Sequence, residues 1–209
     1  MQNVVIRAIE RLDFRTKEAY RTLRTNLSFA GKNVKVISLT SCTPNEGKTS
    51  VSFQLCLSLA ESGKQTILVD ADLRKSVLRG RYKANREKYG LSHYLSGQVE
   101  LDDACCRTNV NNFDIIFAGP VPPNPSELLG GDAFRNMLEV LRMKYDYVIV
   151  DTPPLGSVID AAIVGAICDG TVIVVESGAI SYKFVQNVKE QLNKVGCRIL
   201  GCVLNKVNT

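Results

Sequence analysis

What most constrains this chain is an alternation that repeats along most of its length. Short apolar runs rich in β-branched residues occupy residues 34–39, 66–69, 114–117, 147–150, 171–175 and 199–204. Helical spacing fills residues 49–62, 132–144, 160–168 and 183–194 between them. Most of the runs are continuously apolar rather than alternating, the pattern of strands covered on both faces. The expectation is an α/β protein with a mostly parallel central sheet and helices on both faces. Gly63 and Gly196 fall where helix C-caps are expected.

Composition sets the class. The 209 residues are 45% hydrophobic and 22% charged, close to the average of soluble globular chains, which excludes disorder, collagen-like repetition and coiled coil. One domain is expected, with residues 1–31 as an N-terminal arm and helix and residues 32–209 as the core. The longest apolar stretch, residues 158–175, is broken by Asp160, Gly165, Asp169 and Gly170, so no spanning helix is expected. The first 15 residues lack the apolar core of a secretory signal, which points to the cytoplasm. Seven cysteines show no metal-binding spacing and read as buried thiols. The net charge of +5 comes entirely from residues 1–35, which hold eight basic and three acidic residues. A second basic cluster, Arg74, Lys75, Arg79, Arg81, Lys83, Arg86 and Lys88 against Glu87 alone, is either a solvated loop or a landing site for phosphate or an acidic peptide. Its only aromatics are Tyr82 and Tyr89, too few for a base-stacking surface, and no nucleic-acid partner is expected.

The sharpest motif follows the first long run: Cys42, Thr43, Pro44, Asn45, Glu46, Gly47, Lys48, Thr49 and Ser50, leading into a helix. This is a P-loop between a strand and a helix, with Cys42 in place of the usual first glycine. Backbone N–H groups and the positive helix end cradle phosphate, Gly47 permits close approach, Lys48 neutralises the β and γ phosphates, and the Thr49 hydroxyl suits Mg²⁺. Two further strands end in carboxylates: Asp70-Ala71-Asp72-Leu73-Arg74, and Asp151-Thr152-Pro153-Pro154. In a doubly wound sheet the carboxyl ends of strands line the ligand crevice. Asp70, Asp72 and Asp151 are therefore expected around a polyphosphate held at Lys48.

Together these three segments resemble the Walker A, A′ and B motifs of the bacterial tyrosine kinases that regulate capsular and extracellular polysaccharide synthesis, within the wider group of partitioning and cell-division ATPases. The resemblance spans nearly the whole chain. It includes an ExxRxxR pattern at Glu18, Arg21 and Arg24, and residues 122–129 (PPNPSELL). Partitioning-type relatives carry a second lysine where Thr43 stands, and its absence favours the kinase branch. The resemblance implies ATP along Thr43–Ser50 and Mg²⁺ at Thr49, Asp72 and Asp151. Lys48, Asp70, Asp72 and Arg74 form the catalytic set, with Asp70 taking the tyrosine proton and Arg74 either holding the A′ carboxylates or contacting phosphate. Asn205 falls where related proteins read the base. A partitioning-type ATPase and a non-catalytic nucleotide-responsive scaffold remain alternatives.

On a helical wheel Glu18, Arg21 and Arg24 leave the face formed by Ala19, Tyr20, Leu23, Leu27 and Ala30. The apolar stripe is expected to dock on its own domain. The charged side either forms an exposed salt-bridge ladder or, as the resemblance implies, closes a homo-oligomeric ring that presents tyrosines to a neighbouring site. Such kinases end in a tyrosine-rich tail, whereas the seven tyrosines here are all internal, and Tyr82 and Tyr89 are the expected acceptors among them. The resemblance further implies a separate transmembrane activator, a tyrosine-containing protein substrate and recruitment to the inner face of the membrane.

Overall fold

The structure is a computed structural model that describes residues 1–85 and 88–207. Among these, the strands are β1 (Gln2–Val4), β2 (Val36–Ser41), β3 (Thr66–Asp70), β4 (Cys106–Thr108), β5 (Phe113–Ile116), β6 (Tyr147–Asp151), β7 (Gly170–Glu176) and β8 (Ile199–Asn205). The helices are α1 (Phe14–Phe29), α2 (Lys48–Glu61), α3 (Leu78–Arg81), α4 (Leu91–Leu95), α5 (Leu101–Ala104), α6 (Pro125–Gly130), α7 (Asp132–Lys144), α8 (Asp160–Gly165) and α9 (Tyr182–Lys194). All strands join one sheet in the order β1-β4-β5-β3-β6-β2-β7-β8. Every neighbouring pair is parallel except β4 and β5. The α/β class and the mostly parallel sheet agree with the sequence expectation.

Continuous apolar runs are needed because each central strand feeds two cores. Ile37, Leu68 and Ile149 pack with Phe53, Leu55 and Leu59 of α2. Their chain neighbours Val36, Ile67, Val69, Val148 and Val150 pack with Phe134, Met137, Leu138 and Leu141 of α7. The two-residue period thus sends alternate side chains to opposite faces, and both faces are covered. Beyond β7, Ile173 and Val175 meet Val188 and Leu192 of α9 in a third cluster.

Two strands, β1 and β4, have no apolar run to announce them. Each is three residues long, and they pair with one another at Gln2↔Cys106. The first residues of the supposed arm therefore form one margin of the sheet. Helix α1 is capped by the Asp13 side chain on Thr16 N. It docks through Tyr20, Leu23, Leu27 and Ala30, while Ala19 faces solvent, contrary to its expected place in the stripe. No helix among the described residues is long and apolar enough to cross a membrane.

Tyr82 is a correction of another kind. Its ring stacks on Phe53 at 3.5 Å between centroids, and it is 4% exposed, so this expected acceptor is a core residue. Phe53 also meets Phe113 edge to face at 5.4 Å. Replacing Phe53 by Ala removes a fully buried ring from both contacts and is expected to cost about 3–5 kcal/mol. Urea unfolding should show the midpoint lowered with the slope unchanged.

Candidate active site

Parallel strands place their carboxyl ends on one margin of the sheet. Reading across that margin, Asp70 ends β3, Asp151 ends β6, the P-loop leaves β2, Glu176 ends β7 and Asn205 ends β8. Asp70 and Asp151 are register partners, as are Glu176 and Asn205. Residues scattered over the whole sequence are thereby brought together by strand order alone.

The loop itself needs left-handed backbone at Asn45 (φ 70°) and Gly47 (φ 88°). A Cβ on Gly47 would lie 2.1 Å from Asn205 Nδ2, so both conformation and space require glycine there. Cys42 replaces the usual first glycine without blocking the site, because it is fully buried and packs with Leu155, Ala161 and Ile173. Burial pushes its thiol up to about 12, which keeps it unreactive.

The loop is braced from two sides. Buried Glu46 accepts from Thr43 N, from Thr43 Oγ1 (3.0 Å) and from Glu176 N (3.0 Å). On the outer side, Asn205 Nδ2 donates to Glu46 O (2.8 Å), and Lys206 Nζ donates to Asn45 O (2.7 Å) while pairing with Glu176 Oε2 (2.8 Å). Pro44, Asn45, Glu46, Gly47, Lys48 and Thr49 line a cavity of ≈ 250 Å³ together with Asp72 and Arg74. A second space of ≈ 580 Å³ continues past Asn45, Gly47, Ser50, Asn205 and Lys206. Ser50 accepts from Arg81 Nη1 at 2.6 Å.

At the buried floor behind this lining, Lys48 Nζ sits 2.8 Å from Asp151 Oδ1 and 3.3 Å from Thr49 Oγ1. Ser52 Oγ lies 3.1 Å from the same Asp151 oxygen and 3.0 Å from Lys48 O. Asp70, 1% exposed, has its carboxyl raised to about 7, by burial first and then by the Asp151 charge, against the opposing pull of Ser76 and Lys48. Ser76 Oγ donates to Asp70 Oδ2. Asp72 is turned toward its own loop and accepts from Lys75 N at 3.0 Å.

Arg74 departs from expectation. Neither A′ carboxylate accepts its hydrogen bonds. Nε and Nη2 reach Asp160 at 2.7 and 3.1 Å, and Nη2 also reaches Ser126 Oγ at 2.9 Å. Asp160 is fully buried; although burial works the other way, Arg74 and Ser126 hold its carboxyl below the usual range. The segment at residues 122–129 thus matters because it delivers Ser126 to Arg74. Sequence reasoning missed Asp160, Ser126, Ser52 and Lys206. Ser52 left a trace one helical turn beyond Lys48, and Ser126 lay unassigned within the motif at residues 122–129.

The oligomerisation set is also divided. Glu18 and Arg21 pair on the solvent side, as an exposed ladder would. Arg24 instead donates from Nη1 to Ser58 O at 2.7 Å, satisfying a carbonyl in the last turn of α2. Arg86 and Glu87 of the basic cluster lie outside the described residues.

Because the folded Asp70 binds its proton more tightly than the unfolded chain does, its contribution to stability is complete below about pH 4 and is lost as pH rises through about 7. An Asp70→Asn variant should therefore gain Tm relative to the parent as pH is raised from 5 to 8, with little difference at pH 4. A constant difference in calorimetry would contradict that assignment.

Comparison with known proteins agrees with this geometry. A family profile described as an AAA domain matches residues 34–201. The tyrosine-protein kinase CpsD of Streptococcus agalactiae is 45% identical over 194 residues, covering 93% of this chain and 85% of that protein. The solved kinase domain of Escherichia coli tyrosine kinase ETK superposes with a TM-score of 0.87 at 33% identity, over 100% of this chain and 92% of that one. The septum site-determining protein MinD of Pyrococcus horikoshii, solved with Mg-ADP, gives a TM-score of 0.68 at 26% identity over 81% and 69% of the two chains. A chain that sets Lys48 at the start of α2 beside Asp70 and Asp151 at two strand ends, and is this similar to CpsD along nearly its full length, belongs to the bacterial tyrosine-protein kinase family.

Proposed function

We propose that this chain transfers the γ-phosphoryl group of ATP to a tyrosine hydroxyl and thereby regulates the assembly of a capsular or extracellular polysaccharide. One observation carries the reading: Asp70 and Asp151 stand side by side next to Lys48, one carboxylate ion-paired and the other able to bind and release a proton near neutrality.

Phosphoryl transfer is mostly positioning and charge stabilisation. The ≈ 250 Å³ cavity takes the triphosphate against the backbone of Thr43–Ser50. A polyphosphate offers Lys48 a new anionic partner in place of Asp151. The oxygen donors of Thr49, Asp72 and Asp151 suit Mg²⁺, which accepts one or two carboxylates and keeps several waters. Bound there, the cation would neutralise phosphate charge. Tyrosine, with its ordinary pKa near 10, needs a proton acceptor, and Asp70 fills that role with a pKa matched to neutral pH. Arg74, tied to Asp160, holds the A′ segment in place instead of touching its carboxylates. Asn205 has its amide nitrogen engaged by the loop and keeps Oδ1 to accept from the exocyclic amine of adenine.

The partitioning-type ATPase reading is weaker. Both donors of Thr43, where those relatives carry lysine, are turned inward onto Glu46. Labelled ATP, Mg²⁺, a tyrosine-rich peptide and a membrane-activator fragment separate the readings: phosphotyrosine is expected, and phosphate release alone would favour the ATPase. Lys48→Met should abolish transfer. Asp70→Asn should lower kcat at least about 100-fold and remove the rise in rate expected as pH passes through about 7.

The reading includes self-association. Phe14, Glu18, Arg21, Thr25 and Phe29 share one outer face of α1, with Phe14 76% and Phe29 81% exposed. A second subunit covering this face would bury both rings around the Glu18–Arg21 pair and bring a tyrosine to its neighbour's site. Tyr182, 78% exposed, joins half-buried Tyr89 as an accessible internal acceptor, in place of buried Tyr82. A transmembrane activator and recruitment to the membrane face complete the proposal. Arg21→Ala should reduce the assembly mass in light scattering, whereas Arg24→Ala should mainly loosen α1. An unchanged mass for Arg21→Ala would reject the interface.

A further inference from the structure

Where the ≈ 250 Å³ cavity over the P-loop meets the ≈ 580 Å³ space beyond it, one cation borders both: Arg81. Its backbone is well anchored. Arg81 N donates to Val77 O (2.9 Å), and the next residue, Tyr82, stacks on Phe53 of α2 while its carbonyl accepts from Arg7 N (3.2 Å) and Ala8 N (3.1 Å). The helix that carries Phe53 also carries Ser50, one turn earlier, and Arg81 Nη1 donates to Ser50 Oγ at 2.6 Å. A hydroxyl that accepts in this way keeps its own proton to give, and a guanidinium has five N–H donors, so the contact leaves both groups able to hold an anion. Among the described residues no carboxylate pairs with Arg81, whose hydrogen bond goes to a neutral oxygen.

We propose that Arg81 binds the α-phosphate of the nucleotide together with the Ser50 hydroxyl, an inference that rests on the nucleotide reading of the neighbouring site. Position is the first argument. Lys48 and Thr49 serve the far end of the triphosphate and Asn205 lies in the wall of the outer space, so a nucleotide filling both spaces has its α-phosphate at the junction, where Ser50 and Arg81 meet. Chemistry is the second, because a guanidinium offers paired donors that match phosphate oxygens. The third is a group that fits a polar occupant next door. Gln54, 6% exposed, stands one further turn along α2 in the wall of the outer space, and its Nε2 has no hydrogen-bond partner among the described residues. A buried donor left in that state is costly, and the sugar hydroxyls of a nucleotide supply acceptors beside it. Of the two readings open to the basic cluster after the A′ motif, Arg81 thus takes the phosphate one.

Isothermal titration of the full chain with ADP, AMP and inorganic pyrophosphate tests this. Arg81→Gln should weaken ADP and AMP about tenfold, while pyrophosphate, which has no nucleoside to fix it at the junction and is held at Lys48, should bind as before. Arg81→Lys should keep most of the ADP affinity. Ser50→Ala should lose about fivefold, and the double variant should lose less than the product of the two single losses, since the pair acts as a unit. The melting temperature without nucleotide should be unchanged by Arg81→Gln, which separates phosphate binding from support of the fold. Unaltered ADP affinity in Arg81→Gln, equal losses for ADP and pyrophosphate, or no rescue by lysine would each overturn the inference. A parent chain that binds none of the three ligands would instead count against the nucleotide reading itself.

Discussion

Lys48 and Asp151 form an ion pair with both members nearly removed from water, at 6% and 1% exposure. Each charge is tolerable only because the other is present. Losing either partner of such a pair costs ~3–5 kcal/mol, through the charge left uncompensated. The pair also joins the start of α2 to the end of β6, so it fixes the P-loop helix against the strand that carries the second carboxylate. Asp70 takes its character from the same contact. As register partner of a carboxylate already committed to a lysine, it is the one that remains protonated into the neutral range.

Around this pair the chain builds rigidity from unlike materials. Glu46 supplies a buried carboxylate to one turn of the loop, and the tip of β8 supplies an amide and an ammonium to the carbonyls on the other side. Arg74 reaches outward to Asp160 and Ser126, pinning the A′ segment to α8 and to the start of α6. The candidate catalytic groups themselves form few of these bonds. Their supports come mainly from residues outside that candidate set, the arrangement expected where orientation matters more than bond making.

The legible part of this architecture is the part written in local chemistry. Apolar runs announced six strands, although β8 is partly open to solvent and leaves Cys202 exposed against the expectation of seven buried thiols, and carboxylates at strand ends announced a crevice. Strands β1 and β4 escaped because three residues such as Gln2–Val4 carry no periodicity. Side-chain partners escaped for a different reason: an Arg near two Asp residues gives no sign that it prefers a third, Asp160, 86 positions away. The helical wheel placed Tyr20, Leu23 and Leu27 correctly but was blind to the end of α2, where Arg24 found an orphan carbonyl. Tyr82 looked accessible among basic residues, and only the packing of Phe53 shows otherwise.

The latch between Asn205 and Glu46 spans 159 positions of sequence. A site assembled from such distant stretches exists only in the finished sheet, so a nucleotide that grips both sides has no affinity for the unfolded chain. Ligands of that kind stabilise the native state in proportion to the logarithm of their concentration. Bound nucleotide would then slow the proteolysis of each copy of this polypeptide, quite apart from how fast it works.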